Sequence, residues 1–592
     1  MERKVLDQIL EKVEKPARYT GGEWNSIVKR DADFRFALCF PDLYEIGMSH
    51  LGSRILYHVI NRMERVACER AFAPWPDMEQ ALRISGEKLY SLETLRPLDQ
   101  FDMLGFSLLY EMCYTNVLTM LDLSGIPLLS SERKDGLPLI VAGGPCVCNP
   151  EPIRDIFDAI LIGDGEEMNP EVIRTVQDSR GCSRMEILKR ISGIPGVYVP
   201  SVSNKHPIRR IVLDLNQQPF TGDPVVPYMS ITHDRVAMEV MRGCTRGCRF
   251  CQAGYIYRPV RERDKDYILQ EAKRQIMCTG YDEVSLLSLS TGDYSRVHEL
   301  VPEIIHDMEK DRISVSLPSL RVDSRLREDF KVMQTVRKAG LTFAPEAGTQ
   351  RLRDVINKNV SEDDLFRATQ DAFENGWSSV KLYFMIGLPT ETDEDILAIP
   401  DLARRVSNQF YSMPKEKRGK GLRLSVSVST FVPKPFTAFQ YCPQNSLEEI
   451  RRKQEILRGA MRGIRGAELH MHLSLLSVLE AAFSRGDKRL NQVLIEAFKK
   501  GCRFDSWSEN FRPDAWREAF ETCGTSAEEY AMHSYEPGEP LPWNYVDMLV
   551  SEEYLAQEYK KALLGLTTKD CREGCNGCFG SKHANDCTFS QR

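Results

Sequence analysis

The chain has 592 residues, of which 42% are hydrophobic and 28% are charged, values that are ordinary for a soluble globular protein. This length predicts about three domains with ample apolar material for a packed core. The formal net charge of −7 gives no overall attraction to nucleic acid, and no apolar run approaches the roughly 18 residues that span a bilayer. The first residues do not form a signal-peptide pattern, so we expect a cytoplasmic protein without a membrane segment.

The amino-terminal part of the chain predicts an α/β domain. Residues 1–29 resemble a helix with a polar lead-in, and residues 30–205 then alternate between short apolar runs and helices. Strand candidates are 34–40, 101–108, 137–142 and 157–162. Apolar runs that alternate with helices and close on glycines predict a doubly wound, Rossmann-like parallel sheet. Ligands bind such sheets beyond the carboxyl ends of the strands, where these glycine turns lie.

The central part of the chain predicts a partial barrel. Residues 206–227 form a connector rich in Pro and Gly, and strand–helix alternation resumes over residues 228–442. Six strand candidates follow one another there: 235–240, 283–288, 313–316, 341–343, 379–385 and 424–428. Six βα units predict a partial (β/α)6 barrel with its chemistry at the carboxyl ends of the strands. Residues 443–592 predict a mainly helical region that carries a second group of cysteines within 571–587.

The 17 cysteines are clustered, which in an intracellular protein favours metal binding over disulfide bonds. Cys244, Cys248 and Cys251 lie on one short loop after the first barrel strand. Three thiolates on such a loop can hold three corners of an iron–sulfur cluster and leave the fourth iron without a protein ligand. A structural zinc site would need four ligands, and no fourth cysteine is nearby in the sequence.

The loop Cys244-Thr-Arg-Gly-Cys248-Arg-Phe-Cys251 resembles the signature of radical S-adenosylmethionine (SAM) enzymes, including the aromatic Phe250 before the third cysteine. The resemblance implies that these thiolates hold a [4Fe-4S] cluster whose open iron binds SAM. One electron would then cleave SAM to a 5′-deoxyadenosyl radical.

Turns after the later barrel strands resemble the SAM-binding turns of the same family. The turn at Thr291-Gly-Asp293 departs from the usual Gly-Gly-Glu, because Thr291 replaces the first glycine and Asp293 replaces the glutamate. The resemblance implies contacts to SAM from Phe250, Thr291, Gly292, Asp293, Ser316, Arg321, Glu346, Arg351, Gly387 and Pro389.

Residues 30–205 resemble the cobalamin-binding domain that precedes many radical SAM cores, and glycine turns would let the corrin approach the backbone closely. In the best-known cobalamin motif, Asp-x-His-x-x-Gly, the histidine is the lower ligand of cobalt, but Tyr44 stands at that position here. We therefore expect a base-off site without histidine ligation, and we interpret His50 as a surface or core residue. The resemblance implies contacts to cobalamin from Asp42, Tyr44, Glu45, Gly47, Ser107, Gly143, Gly144, Gly163 and Gly165.

The whole pattern resembles an uncharacterised family of cobalamin-binding radical SAM proteins, which also carries the segment Cys-Gln-Ala-Gly-Tyr-Ile-Tyr-Arg-Pro-Val-Arg found here from Cys251 to Arg261. The leading hypothesis is methyl transfer from cobalamin to an unactivated centre. One alternative is cobalamin-dependent cyclisation or rearrangement, and another is a non-catalytic role in RNA binding or assembly. A further alternative is a methylthiotransferase-like enzyme with an amino-terminal cluster at Cys39, Cys113 and Cys146 or Cys148.

Several partners follow from this resemblance. An electron donor is required, and we expect a separate partner domain because some relatives continue into an additional domain. The sequence does not decide whether the substrate is RNA, a peptide or a small metabolite.

The second group of cysteines, Cys571, Cys575 and Cys578, repeats the spacing of the first loop, and Cys587 supplies a fourth thiolate nearby. Four thiolates close a coordination shell, which suits electron transfer or a structural role. The pattern predicts a second metal site, which holds either an auxiliary iron–sulfur cluster or zinc.

Overall fold

The computed structural model describes residues 1–202, 206–318, 341–418, 421–580 and Cys587. Its amino-terminal part forms a six-stranded sheet of order β2-β1-β3-β4-β5-β6, in which all pairs are parallel except β5 with β6. The predicted doubly wound sheet is thus confirmed. The strands are β1 (Phe34–Phe40), β2 (Val66–Phe72), β3 (Met103–Ser107), β4 (Leu139–Gly143), β5 (Ala159–Leu161) and β6 (Val197–Tyr198).

Helices cover both faces of this sheet, because successive side chains of each strand point to opposite faces. In β1, Ala37 and Cys39 join one apolar cluster, whereas Phe36 and Leu38 join another. The helices of this domain are α1 (Arg3–Leu10), α2 (Tyr44–Gly47), α3 (Leu51–Asn61), α4 (Pro76–Ser85), α5 (Tyr114–Leu123), α6 (Gly165–Gln177) and α7 (Arg184–Ile191).

Strand β2 was not predicted, because Glu69 and Arg70 interrupt its apolar pattern. Both side chains are buried and paired in the structure. Arg70 lies 2.9 Å from Glu23 Oε2 and 2.6 Å from Glu93 Oε1, and Glu69 accepts a hydrogen bond of 2.6 Å from Ser91 Oγ. A buried charge is tolerated where it is paired and hydrogen-bonded, so a charged pair can occupy the middle of a core strand.

The central part contains two parallel sheets, of order β11-β10-β7 and β12-β13-β14-β15, and a short antiparallel pair, β8 with β9. The six predicted barrel strands are all present. The strands are β7 (Val236–Glu239), β8 (Met241–Arg242), β9 (Arg261–Glu262), β10 (Glu283–Leu287), β11 (Ser314–Ser316), β12 (Leu341–Glu346), β13 (Ser379–Ile386), β14 (Arg423–Thr430) and β15 (Ala467–Met471).

Strand β15 corrects the prediction in one respect, since it lies beyond residue 442, in the region predicted to be mainly helical. It pairs in parallel with β14 and adds a seventh parallel strand to the barrel. The sequence Ala-Glu-Leu-His-Met gives a weak strand signal, because the polar residues Glu468 and His470 face solvent at this edge position. The helices of the central part are α8 (Gln252–Ile256), α9 (Lys265–Thr279), α10 (Val297–Glu309), α11 (Gln350–Val355), α12 (Glu362–Glu374) and α13 (Asp393–Ser412).

The carboxy-terminal helices pack against the amino-terminal domain, so one large apolar cluster joins the two regions. Thr115 Oγ1 in α5 donates a hydrogen bond of 2.6 Å to Asp505, and Asn149 Nδ2 donates one of 3.1 Å to the carbonyl of Ser484. No helix within the described ranges is both long enough and apolar enough to cross a membrane. These helices are α14 (Leu447–Met461), α15 (Ser474–Arg485), α16 (Leu490–Lys499), α17 (Pro513–Thr522), α18 (Ala527–Ala531) and α19 (Glu552–Leu563).

Candidate functional site

The first cysteine loop connects β8 to α8, and Cys244, Cys248 and Cys251 are half-buried on it. Burial raises the pKa of Cys244 to about 11 and that of Cys251 to about 12, and the neighbouring Cys248 thiol adds to both shifts. The three thiols are therefore near enough to act on one another. In the described part of the chain, no three His, Cys, Asp or Glu side chains are already gathered closely enough to hold a metal ion.

The guanidinium of Arg249 fixes the centre of this loop and is completely buried. It donates hydrogen bonds to Glu558 Oε2 at 3.1 Å, to the carbonyl of Val355 at 2.8 Å and to the carbonyl of Leu566 at 2.7 Å. The cysteine loop is thus clamped between the barrel helix α11 and the carboxy-terminal helix α19.

Replacing Arg249 with methionine should lower the free energy of unfolding by about 3 kcal/mol, since breaking a buried ion pair by removing one partner costs about 3–5 kcal/mol. We expect the lower end because Lys561 remains 2.8 Å from Glu558. Urea denaturation followed by circular dichroism would measure the loss. The control is Arg517→Met, which removes an exposed ion pair with Asp514 worth about 1 kcal/mol or less. Equal stability of the two variants would contradict the clamping role.

The second cysteine loop lies directly against the first. The N–H of Cys571 donates to the carbonyl of Thr245 at 3.1 Å, and Thr245 Oγ1 donates to Asp570 Oδ2 at 2.9 Å. Arg246 Nε lies 3.0 Å from the same carboxylate. The sequence offered no sign of this contact, because 325 positions separate Thr245 from Asp570.

Asp293, which was predicted to contact SAM, is bound by arginines from both cysteine loops. Arg246 Nη2 lies 2.7 Å and Arg572 Nη2 lies 2.9 Å from its Oδ1 atom. Burial by itself raises the pKa of Asp293, but the hydrogen bonds and charge of Arg246, the Ser290 hydroxyl and the charge of Arg572 together lower it to about 2. The carboxylate is therefore ionised at neutral pH and joins the two loops.

The other predicted SAM residues lie mainly at the carboxyl ends of parallel strands. Thr291 and Gly292 follow β10 and Ser316 ends β11 in one sheet, whereas Glu346 ends β12 and Gly387 follows β13 in the other. The carboxyl ends of parallel strands share one edge of a sheet, so the structure brings these residues to the edges at which barrel enzymes bind ligands. Arg321 lies outside the described residues.

Two of these residues are engaged by partners on neighbouring segments. Arg351 donates to the carbonyl of Thr390 at 2.9 Å and also pairs with Asp395. The N–H of Gly387, which has a φ of +82°, donates to Glu391 Oε2 at 2.7 Å. Both contacts hold the turn after β13, which suggests that these two residues shape the turn.

Glu346 and the two apolar residues predicted to contact SAM are at least partly enclosed by the protein. Glu346 accepts a hydrogen bond of 3.1 Å from Lys358, a lysine whose charge also acts on the Cys251 thiol. Phe250 and Pro389 are half-buried, and Phe250 packs against an apolar cluster that includes Leu388. Lys358 was missed by the sequence reasoning, since it follows no recognised motif.

A cavity of about 380 Å³ lies at the carboxyl ends of the amino-terminal strands, between this domain and the barrel. Apolar side chains of the sheet and of α3 and α6 form one wall, and Glu239, Arg242 and Tyr257 belong to the barrel side. Five of the nine predicted cobalamin residues line the cavity: Ser107, Gly143, Gly144, Gly163 and Gly165.

The motif residues after β1 lie outside this cavity. Asp42 accepts a hydrogen bond of 3.0 Å from Trp507 Nε1, and the hydroxyl of Tyr44 donates one of 3.1 Å to Glu23. Neither residue lines the cavity. Tyr44 therefore stands at the motif's histidine position in sequence but points into a buried polar network.

Glu45 and Gly47 also lie away from this cavity. Glu45 is held by Arg18 at 2.8 Å. A Cβ atom at Gly47 would come within 2.3 Å of the Phe72 ring, so glycine is needed there for packing. The four motif residues thus have structural roles within the protein, and none of them lines this cavity.

The glycines at two of the turns are also needed by the backbone of the protein itself. Gly144 has a φ of +107° and Gly163 a φ of +123°. A Cβ atom at Gly144 would lie 2.4 Å from the carbonyl oxygen of Leu108, and one at Gly163 would lie 2.1 Å from that of Arg210. These glycines are required by the protein's own backbone, whether or not a ligand approaches them.

His50 lines the cavity and begins α3. Its Nδ1 atom accepts a hydrogen bond of 3.1 Å from the N–H of Ser53, which makes His50 the N-cap of the helix. Burial lowers the pKa of His50 to about 4, so the imidazole is neutral at pH 7. The structure thus gives this residue a capping role at the wall of the cavity.

A network of buried charged side chains joins the two domains beside the cavity. Arg242 of the barrel lies 3.0 Å from Asp164 on the turn after β5, 2.7 Å from Glu166 in the first turn of α6, and 3.1 Å from Glu239 on β7. These contacts fix the amino-terminal domain against the barrel. The sequence reasoning missed Arg242, although it stands just two residues before Cys244.

Family models match two parts of the chain, and several known proteins are similar to it in sequence. Residues 52–200 match the family described as "Radical SAM proteins, N-terminal", and residues 238–403 match the "Radical SAM superfamily". An uncharacterized protein of Methanocaldococcus jannaschii is 29% identical over 493 residues, which are 80% of this chain and 96% of the relative. A tRNA-2-methylthio-N(6)-dimethylallyladenosine synthase of Bacillus thuringiensis is 22% identical over 232 residues, which are 35% of this chain and 45% of that enzyme.

Among solved structures, the chain is similar to the cobalamin-dependent S-adenosylmethionine radical enzyme OxsB with aqua-cobalamin and S-adenosylmethionine bound. That similarity has a TM-score of 0.49 and 12% identity, and it covers 90% of this chain and 79% of the other. With both an amino-terminal domain and a core that match radical SAM proteins, the chain is a radical SAM protein.

Proposed function

We propose that this chain is a cobalamin-dependent radical SAM enzyme whose reaction is methyl transfer to an unactivated centre. The observation that carries the proposal is the cavity of about 380 Å³, which glycine turns of the amino-terminal sheet and residues of the barrel line together. A ligand in this cavity would contact both domains. It would lie at the carboxyl ends of the strands, where doubly wound sheets bind their ligands.

The three thiols of the first cysteine loop are suitable ligands for an iron–sulfur cluster. Cys244, Cys248 and Cys251 would hold the cluster, because their thiols are half-buried and near one another on a loop that Arg249 clamps. When bound, the cluster supplies one electron for the reductive cleavage of SAM, and cobalamin supplies a methyl group. Glu346, Ser316 and the turn at Thr291 are the candidates for positioning SAM, since they lie at strand ends.

The lining of the cavity suits part of a cobalamin molecule in its chemistry. Phe36, Val141 and Leu161 give it an apolar wall that suits a displaced nucleotide base, and Gly144 and Gly163 present backbone without a side chain at the turns. Tyr44 points away from the cavity, which supports base-off binding without a ligand from the motif position. Glu239 and Arg242 face the cavity from the barrel and would orient the bound group towards the substrate side.

The ion pairs of Arg242 would keep the amino-terminal domain and the barrel in a fixed relative position at the site. Arg242 pairs with Asp164 and Glu166 of one domain and with Glu239 of the other. The charges of Arg242 and Arg261 lower the pKa of Asp164, although burial alone would raise it, so the carboxylate stays ionised. This arrangement would hold the two domains in a fixed position on either side of the cavity.

A second candidate is a methylthiotransferase-like reaction, which the similarity to the Bacillus synthase favours. The thiols that would form its amino-terminal cluster are Cys39, Cys113, Cys146 and Cys148, and all four are buried. Their pKa values are raised chiefly by burial in an apolar core, which suits neutral packed thiols. We therefore place this candidate second.

The test is anaerobic reconstitution of the full chain with iron, sulfide and cobalamin, followed by counts of bound iron and cobalt. The protein is then incubated with a reductant, a cell extract and SAM that carries an isotopically labelled methyl group. We expect bound cobalamin, 5′-deoxyadenosine and an extract component that gains one labelled methyl group. Protein without cobalt would contradict cobalamin binding, a product of unchanged mass would indicate rearrangement, and a gain of a methylthio group would favour the second candidate.

A further inference from the structure

We propose that Cys571, Cys575 and Cys578 hold a second iron–sulfur cluster, and that Arg258 supplies the positive charge between this cluster and the first cysteine loop. The inference goes beyond the proposed function and does not depend on cobalamin or on the reaction. It rests on a buried cation, on hydrogen bonds to sulfur and on the contact between the two loops.

The buried cation is the guanidinium of Arg258, whose side chain is only 3% exposed. Its Nη2 atom donates to the carbonyl of Arg246 at 2.7 Å, and its guanidinium carbon lies 4.8 Å from the centre of the Tyr255 ring. Within the described ranges, Nε and Nη1 have no hydrogen-bond partner, and no carboxylate forms a salt bridge with Arg258. A buried charge without a counter-charge is unfavourable, so this site favours a nearby anion.

The groups around Arg258 identify this anion. The guanidinium donates its hydrogen bond to the carbonyl of Arg246, which holds it against the first cysteine loop. Arg246 Nε lies 3.0 Å from Asp570, the residue before Cys571 of the second loop. The cation therefore lies beside the contact between the two cysteine loops. Neutral thiols would leave it uncompensated, whereas thiolates bound to iron carry the negative charge that it lacks.

The second loop also directs hydrogen-bond donors at its own sulfur atoms. The N–H of Gly577 donates to Cys575 Sγ at 3.4 Å, and Asn576 Nδ2 donates to Cys571 Sγ at 3.7 Å. Hydrogen bonds to sulfur stabilise thiolates and tune iron–sulfur clusters. Gly574 and Gly577 have φ values of +147° and +70°, which let the loop curl around its thiols.

The position of the loop distinguishes it from a free tail. Cys578 is buried, and its carbonyl accepts a hydrogen bond of 2.8 Å from the N–H of Ser551. Cys587 is half-buried, and it stays the predicted fourth ligand. The spacing Cys-x3-Cys-x2-Cys is shared with the first loop, and this shared spacing favours an iron–sulfur cluster over zinc.

The first test counts metal in the full chain after anaerobic reconstitution with iron and sulfide. We compare the wild type with the triple variant Cys571→Ala/Cys575→Ala/Cys578→Ala, and Cys523→Ala serves as the control because it removes a half-buried thiol outside both loops. We expect about eight irons in the wild type and in the control, and about four in the triple variant. If the triple variant does not fold, the single change Cys575→Ala removes an exposed side chain and gives the same comparison.

Two results of this count would overturn the proposal. One is an unchanged iron content in the cysteine variants, and the other is the loss of one zinc in place of iron. Failure of SAM cleavage would leave the count unaffected, so the failure of the proposed function is distinguishable from the failure of this inference.

The second test examines the charge of Arg258. Arg258→Met should reduce the iron content and alter the electron paramagnetic resonance spectrum of the reduced protein, whereas Arg258→Lys, which keeps the charge, should stay close to the wild type in iron content. Wild-type iron content and an unchanged spectrum in Arg258→Met would overturn the role of this cation.

Discussion

Replacing Cys248 with alanine should abolish the formation of 5′-deoxyadenosine from SAM under reducing conditions while the fold is kept. The three thiols of the first loop act as separate ligands, so the loss of one leaves too few to hold the cluster. The loop itself should persist, because Arg249 holds it through Glu558 and two backbone carbonyls. Mass spectrometry of the nucleoside product and circular dichroism of the variant would measure the two parts of this expectation.

The matched control for this variant is Cys182→Ala, which removes another half-buried thiol far from both cysteine loops in sequence. It should keep full SAM cleavage. A well-folded Cys248→Ala protein that still forms 5′-deoxyadenosine would refute the assignment of the first loop as the cluster site.

Replacing Gly143 with leucine should prevent cobalamin binding without unfolding the domain. Gly143 lines the cavity, and a Cβ atom there would have only the carbonyl of Leu161 as a neighbour, at 3.6 Å. The backbone therefore accepts a side chain, and the added isobutyl group would occupy space that the ligand needs. The absorbance of cobalamin that stays with the protein through gel filtration would show the loss, and SAM cleavage should continue.

The control for Gly143→Leu is Gly459→Leu, because Gly459 lies in α14 with no other residue within 4 Å of the new Cβ atom. Gly144 is less suitable for this test, since a Cβ atom there would lie 2.4 Å from the carbonyl of Leu108 and would disturb the turn itself. Retention of cobalamin by Gly143→Leu at the level of Gly459→Leu would contradict the placement of the ligand.

The sequence predicted those strands whose apolar residues form a continuous or an alternating pattern. Strand β1 is a nearly continuous apolar run, β14 alternates apolar residues with serines, and both were located within one or two residues of their observed bounds. Strand β2 was missed because its charged residues are neutralised by partners distant in sequence, Glu23 among them. Strand β15 was missed because an edge strand with alternate exposed residues gives little contrast to a helix.

In the candidate site, too, the sequence revealed local patterns but not contacts between distant segments. The cysteine motif and the glycine turns are local patterns, so they could be recognised, and five of the turn residues do line the cavity. Asp42 and Tyr44 align with the cobalamin motif only in part, and nothing in the sequence indicated their hydrogen bonds to Trp507 and Glu23. Arg246 and Asp570 could not be paired from sequence, because an ion pair between distant segments leaves no local signal.

The contact between Thr245 and Asp570 has a consequence for how the protein is made. The 325 positions between them mean that the barrel leaves the ribosome long before Asp570 is synthesised. Domains generally fold from the amino terminus during synthesis, at about 5–20 residues per second. The first cysteine loop thus stays uncovered for tens of seconds and gains its last neighbours only when the second loop arrives, so the nascent chain itself provides an interval in which metal can be delivered to the exposed thiols.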